Sequence, residues 1–119
     1  MESNADQLKA PIEWNDFEKI DMRIGTIIEA VPFPKAKKPA YQLKVDFGPL
    51  GIKQSSAQIT AHYAPEALVG KQVMAVVNFP RKQIANFFSE CLVMGVYDAA
   101  NEVVLLQPEQ AVPNGSRVG

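Results

Sequence analysis

Three short β-branched segments, one helical turn opened by proline, and two or three further strands predict an all-β chain. That order matches the OB-fold, a five-stranded Greek-key barrel with a short helix between strands 3 and 4. Two further observations support it. Residues 41–47 alternate apolar and polar with a period of two, the mark of a half-buried strand. No βαβ spacing, heptad pattern or internal repeat occurs anywhere in the chain. With 119 residues and 47% apolar content, there is room for one domain and enough apolar surface for one core.

Residues 1–11 read as a flexible lead-in ending at Pro11, and residues 12–119 as the domain proper. The stretch Asn15-Asp16-Phe17-Glu18 reads as a capping box with Asn15 as the cap. It opens one or two helical turns whose apolar set is Ile12, Trp14, Phe17 and Ile20. So short a helix is stable only when packed on something. Residues 22–31 read as the first strand, with a bend or bulge at Gly25. Pro32, Pro34 and Pro39 then forbid regular structure and leave a lysine-rich loop. Tyr41, Leu43, Val45 and Phe47 form the inward face of the second strand, Gly48 to Gly51 a turn, and 52–57 the third strand. Pro65 starts a helical turn that ends before Gly70. Residues 71–79 read as a fourth strand buried on both faces, 92–97 as a fifth, and 103–106 as a short sixth.

Charge is unevenly spread. Residues 35–82 hold eight basic side chains (Lys35, Lys37, Lys38, Lys44, Lys53, Lys71, Arg81, Lys82) against Asp46 and Glu66, within a chain of net charge −1. Such an island is the pattern of a polyanion site, and equally of lysines that solubilise strand faces. The amino-terminal stretch is acid-rich and lacks an apolar run, so no secretory leader is expected. No segment is apolar enough to span a bilayer, so no integral membrane association is expected. A single cysteine cannot form an internal disulfide, and together these features predict a cytoplasmic protein.

Little in the sequence points to catalysis. His62 has no partner at metal-ligand spacing, and Cys91 stands far from it. Cys91 opens an apolar strand, where a small core residue is the simplest reading; a nucleophile would need a base and a thiolate-stabilising pocket. Glu66 and Glu90 are lone carboxylates, and no phosphate loop, dinucleotide fingerprint or serine elbow occurs. A small enzyme is the disfavoured reading, and no catalytic residue, metal or cofactor is expected.

The informative segment is 78–90, which joins strands four and five at the edge where OB-folds grip ligands. It combines cations (Arg81, Lys82), amides (Asn78, Gln83, Asn86) and three phenylalanines (Phe79, Phe87, Phe88). Cations suit phosphates, while aromatics beside them suit stacked bases or apolar peptide side chains. Two of the three phenylalanines are expected in the core and one at a surface site. Ser55 and Ser56, small and polar on strand three, would leave a shallow floor for a ligand; a solvent-facing edge explains them equally.

The run from Asp16 to Ile27, Asp16-Phe17-Glu18-Lys19-Ile20-Asp21-Met22-Arg23-Ile24-Gly25-Thr26-Ile27, resembles the opening of the tRNA-binding domain family. Three more stretches resemble the branch of that family formed by bacterial export-related chaperones. They are Lys38-Pro39-Ala40-Tyr41 leading to Asp46-Phe47-Gly48-Pro49, Ser55-Ser56-Ala57-Gln58-Ile59-Thr60, and Asn78-Phe79-Pro80 with Gln83-Ile84 and Ser89-Glu90. The resemblance implies an OB-fold homodimer joined through terminal segments, here carrying Ile12, Trp14 and Phe17. It implies two activities without ordering them: holding unfolded preproteins in company with the secretion ATPase, and binding tRNA. Peptide contacts are then expected from Ser55, Ser56, Asn78, Phe79, Gln83, Phe87 and Phe88, and nucleic-acid contacts from Lys53, Arg81, Lys82 and Ser89. The alternative is a structure-specific tRNA-binding protein with no chaperone role. Of the Ser-x-Gly-Met pattern usual in the tRNA-binding branch, only Ser89 is kept, and Glu90 places a negative charge near the expected phosphate path.

Overall fold

A computed structural model describes residues 6–119. Residues 1–5 of the expected lead-in lie outside the described residues, and 6–11 carry no helix or strand. The elements run α1 (Trp14–Glu18), β1 (Met22–Pro32), β2 (Tyr41–Asp46), β3 (Ile52–Ala57), α2 (Pro65–Leu68), β4 (Gln72–Val76), β5 (Lys82–Ile84), β6 (Phe87–Ser89), β7 (Leu92–Val93), β8 (Gly95–Tyr97) and β9 (Val103–Leu105). Five antiparallel strands in the order β3-β2-β1-β4-β7 form a nearly closed barrel of OB type. Backbone bonding between Glu90 and Gln54 draws the β7 end toward β3 (Glu90 N–H to Gln54 C=O, 2.8 Å).

The barrel follows from its apolar alternation. Leu43, Val45 and Phe47 from β2 and its end, Ile27 from β1, Val73 and Ala75 from β4, and Leu68 from α2 are all fully buried together. Leu68 comes from the short helix expected between strands three and four. Gly25 is not the bulge. A Cβ there would stand 2.7 Å from both Phe47 Cδ1 and Val45 Cγ1, so glycine is required by close packing. The bulge comes later: Ile27 pairs with Val45 but Glu29 with Lys44, leaving Ile28 as the extra residue. Ile28 is thereby turned outward. The N–H and C=O of Ile27 turn instead to Lys71 C=O and Gly70 N–H, at 2.9 and 2.8 Å, which ties β1 to the loop after α2.

Three other expectations are corrected. The cap of α1 is Glu13, not Asn15: the short Asp16 carboxylate reaches back to the Glu13 N–H at 3.0 Å. The fourth strand ends at Val76, because the chain leaves the barrel there. The fifth strand is split into β7 and β8 at Met94, whose N–H bonds to Met74 C=O at 2.9 Å.

The carboxyl-terminal segment is part of the sheet. Ile24 and Met22 exchange backbone bonds with Gly115, Ser116 and Val118, and Thr26 Oγ1 lies 2.7 Å from Asn114 Oδ1. This covers the half of β1 that β2 does not reach. The chain end and α1 thus meet on one side of the barrel. Two adjoining hollows lie there, of about 590 and 550 Å³, and Trp14 and Phe17 line both.

Candidate functional site

The segment between β4 and β7 is a β-ribbon. Ala75 and Val76 pair with Val93 and Leu92. Beyond them Lys82, Gln83 and Ile84 pair with Ser89, Phe88 and Phe87. Between these two ladders, residues 77–81 on one arm face only 90 and 91 on the other. Five residues against two cannot stay in register, so Asn78, Phe79, Pro80 and Arg81 are extruded as a wide bulge. Proline within the run removes one N–H that a ladder would have used. The result is a groove of about 650 Å³ lined by Phe79, Pro80, Arg81, Lys82, Gln83, Ser89, Glu90, Cys91 and Leu92.

The groove combines apolar walls and cations. Phe79 is 55% exposed and Leu92 50%. On the ribbon, alternation sends Phe87 inward and Phe88 outward. Phe87 packs on Phe33 and Ala40, with ring centroids of Phe33 and Phe87 5.4 Å apart. This small cluster anchors the hairpin to the loop after β1. Phe88 carries the Arg81 guanidinium over its face at 4.5 Å, a cation–π pair at an exposed site. One phenylalanine is therefore core and two are exposed, where two core rings were expected. Among the described residues neither Arg81 nor Lys82 lies within ion-pair distance of a carboxylate.

The remaining expected residues separate into groups. Ser56 is half-buried, and its N–H donates to Ser89 Oγ at 3.4 Å, so β3 adjoins the groove. Ser55, in contrast, is 1% exposed; period two turns it into the barrel, so it offers no floor to a ligand. Asn78 is exposed, yet its amide is engaged: Oδ1 accepts from Asp21 N–H at 3.0 Å and Nδ2 donates to Lys19 C=O at 2.7 Å. It fastens the end of α1 to the start of the bulge. The Gln83 amide donates to Ala85 C=O at 3.1 Å. Lys53 shares the inward parity of Ser55 and is half-buried outside the groove lining. Ile12, Trp14 and Phe17 line one hollow away from the groove, with Trp14 and Phe17 edge to face at 6.3 Å.

The contact between Glu90 and Gln54 escaped sequence reasoning. The Glu90 carboxylate accepts the Gln54 N–H at 2.9 Å, and the Gln54 amide donates to Phe88 C=O at 3.2 Å. Together they clasp β3 to the groove rim. Nothing in a lone glutamate and a distant glutamine signals this, because the clasp depends on register set elsewhere. Burial is the main reason the Cys91 thiol is pushed up to about 12, with Lys53 opposing and Glu90 adding to the shift. A thiol so protonated is a poor nucleophile. Among the described residues no three potential metal ligands cluster.

The family model described as "Putative tRNA binding domain" matches residues 22–117. The chain belongs to the tRNA-binding domain family. Within that family it is similar over 92% of its length to the whole of two solved chaperones named CsaA. That of Bacillus anthracis is 52% identical with a TM-score of 0.88, and that of Picrophilus torridus 50% identical with 0.85. A methionine–tRNA ligase of Parabacteroides distasonis is 35% identical over 114 residues, 96% of this chain. This chain spans only 16% of that ligase, so the match is to one domain of the enzyme.

Proposed function

We propose that this tRNA-binding-type OB domain is a CsaA-like chaperone, a homodimer in the cytoplasm that holds exposed segments of unfolded preproteins and works with the secretion ATPase. The observation that carries this reading is the groove opened by the five-against-two bulge. It offers Phe79 and Leu92 to a ligand, with Phe88 exposed on the adjoining hairpin, on a chain similar over 92% of its length to chaperones. Burying one aromatic ring contributes roughly 1.5–3 kcal/mol, so one groove gives weak and promiscuous affinity. Weak binding suits a protein with many clients, and two copies in a dimer raise it by avidity. The apolar hollow at Ile12, Trp14 and Phe17 is the surface we assign to the second subunit. A chain lacking residues 1–17 is expected to run as monomer or aggregate in light scattering; an unchanged dimer would refute the assignment.

A second reading, tRNA binding, is favoured by Arg81 and Lys82, which among the described residues have no carboxylate within ion-pair distance, and by the family match. Here Glu90 matters less than its charge suggests, since its carboxylate is turned to the Gln54 N–H. The deciding experiment titrates an unstructured peptide and tRNA against the same protein at several salt concentrations. A flat salt dependence for peptide and a steep one for tRNA is expected. Failure of the peptide to bind at low and high salt alike leaves tRNA binding as the sole function.

A further inference from the structure

The bulge exposes backbone as well as side chains. Among the described residues, the N–H groups of Phe79 and Arg81 and the carbonyls of 78–81 have no backbone partner. β5, which continues from them, pairs with β6 on one side only. An unpaired row of donors and acceptors beside an apolar groove is what an incoming strand completes. Two edges of the barrel sheet are handled differently. β1 is covered by the carboxyl-terminal segment, and β3 is clasped by Glu90 and Gln54. The edge from Asn78 to Ile84 is left open next to Phe79 and Phe88.

We propose that an extended polypeptide segment binds here as an added strand, pairing its backbone with the open edge of 78–84 and laying alternate side chains into the groove. This rests on the polypeptide-holding reading above and supplies its mode. Backbone pairing explains how one site accepts many sequences, because every residue but proline offers the same donor and acceptor. Charge narrows the class. Arg81 and Lys82 stand at the edge with no carboxylate within ion-pair distance, so the groove favours apolar segments flanked by acidic side chains. Arg81 is held over Phe88, and a ligand carboxylate there gains a charge-assisted hydrogen bond without breaking an ion pair.

The test uses the full chain and a synthetic unstructured peptide of leucine, serine and glutamate, with single N-methyl groups placed at each backbone nitrogen in turn. In an added strand only every second amide faces the edge. Methylation at alternate positions is therefore expected to weaken binding roughly three- to tenfold, with the intervening positions little affected. Replacing glutamate by lysine is expected to weaken it further. A peptide that binds with a flat methylation profile overturns the added-strand mode while the chaperone reading stands. Tighter binding of the lysine peptide overturns the charge assignment. A parent peptide that does not bind the folded protein overturns both the mode and the reading.

Discussion

The barrel and the ribbon that grows from it use the same residue types to opposite ends. In the barrel, Leu43, Val45 and Phe47 are buried completely against Ile27, Leu68 and Val73, and even a glycine hydrogen at position 25 cannot be replaced without moving Phe47 and Val45. In the ribbon, Phe79 and Phe88 are 55% and 39% exposed, and among the described residues backbone groups of 78–81 lack backbone partners. A phenylalanine is thus core or surface by register, not by type. The barrel's ladders across β2, β1 and β4 lose register only by the single residue Ile28, so its apolar faces meet. The ribbon loses register where five residues face two, and its rings are left for a ligand.

The contrast is broken most directly by truncation. Leu43→Ala removes a fully buried side chain and is expected to cost about 2–5 kcal/mol. Phe79→Ala, in the bulge, is expected to change stability by no more than about 0.5 kcal/mol. Chemical denaturation of the two variants measures both. Comparable losses would mean that the bulge belongs to the same cooperative core.

Within the ribbon, Phe87 and Phe88 sharpen the comparison at the scale of one residue. Phe88→Ala is expected to weaken peptide binding by roughly ten- to a hundredfold, the range for loss of one buried ring, with the melting temperature nearly unchanged. Phe87→Ala opens a hole against Phe33 and Ala40 and is expected to lower the melting temperature. Peptide affinity on the folded Phe87→Ala background should fall less than for Phe88→Ala. If instead both variants lose stability and neither loses peptide affinity, the groove is not the binding site.

A smaller effect separates charge from apolar surface. Arg81→Ala with Lys82→Ala is expected to flatten the slope of log K against log salt for tRNA by about one unit per lost phosphate contact. Lys53→Ala, outside the groove lining, is expected to change it less. A double variant with unaltered affinity and slope would reduce the basic island to a solvated face.

These differences explain what the sequence could disclose. β2, β3 and α2 lie where alternation and proline placed them, since those signals are local and the barrel rewards them. The end of β4 and the hairpin β5–β6 were not legible. A run such as Val76-Val77-Asn78-Phe79 reads as continuous strand, and only the unequal lengths of the two arms force it apart. The residues of the groove were legible as a mixed segment, 78–90, because cations, amides and rings are dense there. Their orientation was not: Ser55 turned inward, Asn78 was taken up by α1, and Phe87 and Phe88 were sorted by pairing partners. The shift of the bulge from Gly25 to Ile28 has the same cause, since a glycine that permits close packing and a glycine that permits a kink look alike in a single sequence.

The smallest expected effect concerns the far hairpin, β8–β9, which shares the ribbon's exposure but is pinned differently. Its turn is organised by Asp98, whose carboxylate accepts the N–H groups of Ala100 and Glu102, each at 2.9 Å, and lies 2.7 Å from His62 Nε2. The bond from Glu102, then the one from His62, hold the Asp98 carboxyl below its ordinary range. A carboxylate depressed in the folded state stabilises it above the unfolded value, about 3.9, and loses that contribution as pH falls through the folded one. Because the group is exposed and screened, the melting temperature of Asp98→Asn should differ only slightly from the parent at neutral pH. The difference should shrink further as the medium is acidified through that range. Amide exchange at Ala100 and Glu102 should report the change more strongly, because the lost bonds are local to the turn. A fall in melting temperature as large as that of Leu43→Ala would show that the hairpin tip is part of the barrel's cooperative unit, although Leu105 at its base is the one residue of β9 in the buried core.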